Sequence, residues 1–94
     1  MTNKIYSVVP SKKFYREFGK LSEEDKRKVL NTLDILAVTP FYSSLRTKKI
    51  QGIFESSVNM DIRIIWHFQG SRIIIALDVG HHDVIRKYNK RKLY

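Results

Sequence analysis

The run MDIRIIWHF, residues 60–68, constrains the fold of this chain most strongly, because its apolar residues alternate with polar ones over most of its length. In a β-strand, Met60, Ile62, Ile64, Trp66 and Phe68 all point to one face of the sheet. A strand with one apolar face must be covered on that face. We therefore predict that residues 60–68 form a strand packed against helices.

Two helices are predicted before this strand. Ser22 followed by Glu23, Glu24 and Asp25 is typical of a helix N-terminus, because the hydroxyl caps free amides and the carboxylates favour the positive end of the dipole. Thr39-Pro40 ends this helix, and Ser11 begins a shorter one that Gly19 closes.

The remaining elements complete an α+β domain. A strand is predicted over residues 4–9, a basic connection over 41–49, further strands over 50–58 and 72–79, and a last helix over 83–91. The predicted order is βααβββα, in one domain spanning residues 1–94, with an antiparallel sheet and helices packed on one face.

Charge and composition restrict the function classes. The net charge of +9 over 94 residues favours a polyanionic partner, with nucleic acid first among them. An acidic protein or an anionic membrane surface would be attracted by the same field. The chain has no cysteine for a disulfide or a Cys-based zinc site, and no apolar run long enough to span a bilayer, so we expect a cytoplasmic protein.

The last hairpin determines which side chains share the open face of the sheet. A two-residue turn at Gly70-Ser71 pairs Gln69 with Arg72. This register predicts that Arg63 faces Asp78, and that Asp61 faces Gly80 beside the two adjacent histidines, His81 and His82. A shift by one residue would bury Asp78. With Phe54 in the core, Glu55 and Ser57 lie on the same open face as Arg63.

Three segments together resemble one known family. SLRTKKIQG, FESSVNMDIRIIWHF and RIIIALDVGHHDV are similar to segments of the RelE/ParE superfamily of toxins from toxin–antitoxin pairs, and look closest to the RelE-like mRNA interferases. The resemblance implies the βααβββα, microbial-ribonuclease-like fold. It also implies cleavage of mRNA in the ribosomal A site without a metal or other cofactor, through attack by the nucleotide's own 2′-hydroxyl, and neutralisation by a cognate antitoxin.

The resemblance also implies roles for particular residues. Arg63 matches the family's phosphate-binding arginine, Asp61 an acidic position, and His82 a C-terminal histidine or arginine position. Lys48 and Lys49 match a basic position. Tyr88 can be placed on the terminal tyrosine of some members, although Arg86 stands where many relatives have that tyrosine, and Glu55 and Ser57 replace a lysine pair.

Metal-free RNA cleavage needs a base, a cation at the phosphate and an acid for the leaving oxygen. Arg63 fits the cation, His82 or Tyr88 the acid, and Glu55 or Asp61 the base. The alternatives are an ion pair of Arg63 with Asp78, a solvated His82, and a metal site at residues 81–83. The residues predicted to contact RNA electrostatically are Arg46, Lys48, Lys49, Arg86, Lys87 and Lys90.

Two other functions compete with an endoribonuclease toxin. One is a non-enzymatic, ParE-like toxin that inhibits DNA gyrase by binding it, and the other is a basic RNA-binding domain. The combination of Arg63 and His82 beside an acidic residue favours the nuclease, because a protein that only binds has no need of an acid next to a phosphate site.

Overall fold

The computed structural model describes residues 5–88, which form a five-stranded sheet with α-helices. The elements follow in the order β1 (Ser7–Pro10), α1 (Lys12–Phe18), α2 (Glu23–Val38), a 3₁₀ turn (Ser43–Leu45), β2 (Lys48–Ile50), β3 (Ile53–Ser57), β4 (Ile62–Gln69), β5 (Ile73–His81) and α3 (His82–Ile85). The predicted α+β class is confirmed.

The first two helices begin at the predicted caps. The Ser11 hydroxyl accepts a hydrogen bond from the Phe14 amide at 3.0 Å, and the Ser22 hydroxyl accepts one from the Asp25 amide at 3.1 Å. Each bond satisfies an amide that has no partner within its helix. The second helix ends at Val38, immediately before Thr39-Pro40.

The sheet is mixed, with the strand order β1-β5-β4-β3-β2. Strand β1 pairs parallel with β5, whereas the other pairs are antiparallel. The prediction of a wholly antiparallel sheet was therefore wrong for β1. Parallel strands must be joined by a long crossover connection. Here the connection from β1 to β5 begins with α1 and α2 and continues through β2, β3 and β4.

The predicted strand over residues 50–58 is a hairpin instead. Gln51 and Gly52 both have positive φ, at 44° and 87°, and form a tight turn between β2 and β3. Lys48 and Lys49 consequently belong to the edge strand β2 rather than to a connecting loop.

The sheet is apolar on both faces. On one face, Trp66 and Ile64 pack with residues of α1 and α2 such as Phe14, Val29 and Leu36. On the other face, Ile65 packs with Ile50, Ile53 and Ile85, the last of which belongs to α3. Helices α1 and α2 thus share one face as predicted, whereas the prediction of helices on one face only was wrong for α3, which covers part of the opposite face.

The register of the β4–β5 hairpin differs from the prediction. The loop comprises residues 70–72, so Gln69 pairs with Ile73, and a β-bulge near Leu77 shifts the register again. Arg63 therefore faces Gly80, not Asp78, and Asp78 faces Ile65. The shift buries Asp78, which is 1% exposed, and this is tolerated because the carboxylate has partners outside the sheet.

Candidate functional site

A cleft of about 400 Å³ opens on the face of the sheet that carries α3. We call it the basic cleft, because four of its side chains are cationic and one is a carboxylate. Strands β2, β3 and β4 supply its floor, and the segment that begins with α3 supplies one wall. The lining residues are Arg46, Lys48, Glu55, Ser57, Arg63, His82 and Arg86.

The guanidinium of Arg63 is held in place by contacts with three neighbouring residues. Its Nε lies 3.4 Å from Glu55 Oε2, and its Nη1 donates to the carbonyl oxygen of Asn59 at 2.7 Å. A third contact, from Nη1 to the Ile62 carbonyl oxygen, is 3.3 Å long. The side chain is 19% exposed, so a ligand in the basic cleft can reach it. A guanidinium has five N–H donors, so these contacts leave capacity for a phosphate.

Glu55 is the carboxylate of the basic cleft, and it is 7% exposed. Its Oε2 faces Arg63, whereas its Oε1 has no hydrogen-bond partner within the described part of the chain. Lys48 Nζ lies 3.9 Å from Oε1. A buried oxygen without a donor is energetically costly, and a substrate hydroxyl could supply that donor.

The two adjacent histidines occupy different environments. His82 lines the basic cleft, and its side chain is 54% exposed. His81 instead contacts Asp61, with 2.7 Å between Nδ1 and Oδ2, and both side chains are half exposed or more. Asp61 is not among the residues that line the cleft. The structure thus brings together Arg63, Glu55 and His82 and leaves Asp61 outside.

Tyr88 also lies outside the basic cleft. Its hydroxyl donates to Asp78 Oδ2 at 2.6 Å, and Lys13 Nζ lies 3.1 Å from the same oxygen and 3.3 Å from the Tyr88 hydroxyl. Burial, and then the hydrogen bond to Asp78, raise the pKa of Tyr88. Nearby, the Lys13 ammonium lowers the pKa of Lys87. These contacts attach the end of the α3 segment to the sheet and to α1.

The predicted RNA-contacting residues are divided by the sheet. Arg46, Lys48 and Arg86 line the basic cleft. Lys49 pairs with Phe54 and so lies on the opposite face from Lys48, because successive strand residues alternate. Exposed Lys87 is placed beside Tyr88, with its Nζ 5.5 Å from the ring centroid. Lys90 lies outside the described residues.

Sequence reasoning did not identify Asn59, whose contacts position Arg63. The Asn59 side-chain oxygen accepts from the amides of Asp61 and Ile62, each at 2.8 Å. Its backbone carbonyl accepts from Arg63 Nη1. The sequence pattern that could have indicated this role is an asparagine just before a predicted strand, because asparagine side chains commonly accept from the backbone two residues on in an Asx turn.

Within residues 5–88, no three His, Asp or Glu side chains are grouped so that they could hold a metal ion. The alternative of a metal site at residues 81–83 therefore lacks a ligand set in the described structure. Separately, no described helix is both long and apolar enough to cross a bilayer.

Solved structures provide the comparison with known proteins, since no family model and no curated protein matches the chain. The archaeal RelE–RelB complex from Pyrococcus horikoshii OT3 contains a chain that aligns with a TM-score of 0.73 and 20% identity, over 82% of this chain and 94% of that one. The protein has a RelE-like fold. The resemblance expected from the sequence is confirmed at the level of the fold.

Two further structures share this RelE-like fold. The E. coli DinJ–YafQ toxin–antitoxin complex aligns with a TM-score of 0.71 and 13% identity, over 86% of this chain and 97% of that one. A YoeB/ParE toxin from Agrobacterium tumefaciens aligns with a TM-score of 0.70 and 12% identity, over 81% of this chain and 98% of that one. The fold is thus shared with toxins of toxin–antitoxin systems.

Proposed function

We propose that this protein is the toxin of a toxin–antitoxin pair and a metal-free endoribonuclease that cleaves mRNA in the ribosomal A site in the cytoplasm. One observation carries the proposal. Arg63 is fixed beside the buried carboxylate of Glu55, in a cleft that also contains His82 and further cations. A fixed guanidinium, a carboxylate and an imidazole are the three kinds of group that the reaction needs.

Each of these groups has one role in the proposed reaction. Arg63 binds the scissile phosphate and stabilises the charge that develops on it. Glu55 accepts the proton of the attacking 2′-hydroxyl through Oε1, the oxygen that has no hydrogen-bond donor. His82, when protonated, gives its proton to the departing 5′-oxygen, and a 2′,3′-cyclic phosphate remains on the upstream fragment.

The remaining cations of the basic cleft bind the flanking phosphates. These cations come from three different segments of the chain. Arg46 follows the 3₁₀ turn, Lys48 belongs to β2 and Arg86 follows α3, and all three line the cleft. Such contacts align the RNA backbone without reading its bases. Asp61 and Tyr88 have no direct role in this scheme, because the contacts of both lie outside the cleft.

A cognate antitoxin is the proposed protein partner. The chains that share this fold include RelE in a complex with RelB and YafQ in a complex with DinJ. We expect the antitoxin of this protein to carry an acidic segment that folds over the basic surface around the cleft.

The test uses purified protein, ribosomes programmed with a synthetic mRNA, and an excess of chelator. The proposal predicts cuts within the A-site codon, with a 2′,3′-cyclic phosphate on the upstream fragment. His82→Ala should lower the cleavage rate by about 10²–10⁴ and flatten its pH dependence, whereas His67→Ala, on the same strand as Arg63 but outside the cleft, should retain the rate. Inhibition of gyrase supercoiling without any cut in the mRNA would refute the nuclease and support a ParE-like binder.

A further inference from the structure

A second pocket of about 220 Å³ adjoins the basic cleft. We call it the Met60 pocket. It shares Arg46, Ser57 and Arg63 with the basic cleft, so the two cavities meet at the arginine proposed to bind the scissile phosphate. The residues that only the Met60 pocket has are Ser44, Val58, Asn59 and Met60.

Arg46 lines both cavities, and its backbone is left-handed. Its φ and ψ are 49° and 42°, directly after the 3₁₀ turn whose last residue, Leu45, is 2% exposed. A residue other than glycine rarely adopts this conformation, and such strain is concentrated at functional sites. The anchored Leu45 and the left-handed Arg46 together direct the chain from the 3₁₀ turn into β2.

The loop that forms the other wall is ordered by Asn59, which also contacts Arg63. The Asx turn at Asn59 orders residues 59–62, and the Asn59 carbonyl accepts from Arg63 Nη1 at 2.7 Å. Met60 is 91% exposed on this ordered loop. A thioether makes favourable contacts with aromatic rings, so an exposed methionine beside a phosphate site suits a flat aromatic ligand.

We propose that the Met60 pocket is the subsite for the base of a nucleotide that flanks the scissile phosphate. Met60 and the Arg46 guanidinium contact the faces of the base, and Ser44 and Asn59 contribute polar groups at its edge. Unstacked RNA bases are recognised by stacking on aromatic and arginine planes and by hydrogen bonds to their edges. This inference rests on the proposed function and adds base selectivity to it.

The experiment measures cleavage of ribosome-bound mRNAs whose A site is vacant. In one series, each of the four bases is placed in turn at the nucleotide before the cut and at the nucleotide after it. In a second series, an abasic nucleotide replaces the base at one of these two positions. Met60→Ala should lower kcat/KM by about two- to tenfold on the best intact mRNA, through the lost contact between sulfur and base. On the mRNA that is abasic at the recognised position, the variant and the unsubstituted protein should cleave equally.

Leu30→Ala is the matched control. Leu30 is 52% exposed on α2 and contacts neither cavity, so this variant should cleave every mRNA like the unsubstituted protein. An equal loss for Met60→Ala on intact and abasic mRNAs would overturn the subsite, as would an unchanged rate on all of them. If the unsubstituted protein cuts none of the mRNAs, the proposed function itself fails and the subsite fails with it.

Discussion

Replacing Tyr88 with phenylalanine removes one hydroxyl from the cluster that Tyr88 forms with Lys13 and the buried Asp78 carboxylate. The hydroxyl donates a 2.6 Å hydrogen bond to a carboxylate that is 1% exposed. A hydrogen bond to a charged group contributes about 1.5–3 kcal/mol. Lys13 and the Val79 amide still contact Asp78, at 3.1 and 2.8 Å, so we expect a loss of about 2 kcal/mol in the free energy of unfolding.

Urea titrations and thermal melts measure this loss. A decrease of ~2 kcal/mol corresponds to a fall of roughly 8–16 °C in Tm for a domain of this size. Tyr15→Phe is the control, because Tyr15 is 63% exposed on α1 and its substitution should leave Tm nearly unchanged. An unchanged Tm for Tyr88→Phe would refute the inference that the cluster stabilises the fold.

The same variant distinguishes the two candidate acids. Because the Tyr88 hydroxyl is engaged by Asp78 and its pKa is raised, the folded phenylalanine variant should retain most of its RNA cleavage. Loss of the general acid would instead reduce the rate by about 10²–10⁴. A Tyr88→Phe variant that is folded at the assay temperature and inactive, together with an active His82→Ala, would show that Tyr88 is the acid.

Three further predictions concern pH, the base and the antitoxin. The raised pKa of Tyr88 favours the neutral phenol in the folded state. The stability advantage of the unsubstituted protein over Tyr88→Phe should therefore be constant below pH 10.0 and decline as pH rises through the raised pKa. Urea midpoints of the two proteins that differ equally at pH 8 and pH 11 would contradict this. Glu55→Gln should lower RNA cleavage by about 10²-fold or more while Asp61→Asn leaves it nearly unchanged, and the opposite order would make Asp61 the base. The association rate of the antitoxin, measured by stopped flow, should fall as salt increases, and a rate independent of ionic strength would argue against an acidic segment on the basic surface.

Local patterns in the sequence account for much of the fold. The caps at Ser11 and Ser22 and the alternation from Ile62 to Phe68 are local signals, and the structure has each of these elements. The prediction was wrong for Met60, which lies before β4 and is 91% exposed instead of facing the helices. The Gln51-Gly52 turn was not predicted, because both residues were included in the strand over residues 50–58. Element boundaries are the least certain part of such predictions, because short hairpins and strands share their composition.

The register of β5 depended on contacts that a local pattern does not contain. The predicted register kept Asp78 exposed, because a buried carboxylate without partners is unfavourable. Its partners are Lys13 and Tyr88, which lie outside the sheet, and local sequence patterns do not reveal the contact with Lys13. The same shift determines which side chains surround Arg63. Glu55 and Ser57 were nevertheless expected beside Arg63, because that expectation needs only the alternation of strands, and all three line the basic cleft.

The most direct test of the proposed cleavage is the single-turnover rate of Arg63→Ala on programmed ribosomes, measured beside Arg72→Ala. Arg72 lies exposed in the β4–β5 loop, so its loss removes the same charge away from the basic cleft. We expect Arg63→Ala to cut about 10²–10³ times more slowly than the unsubstituted protein and Arg72→Ala to be nearly unaffected. Arg63→Lys should be intermediate, because lysine keeps the charge without the forked donors. Equal rates for folded Arg63→Ala and the unsubstituted protein would contradict the proposed cleavage.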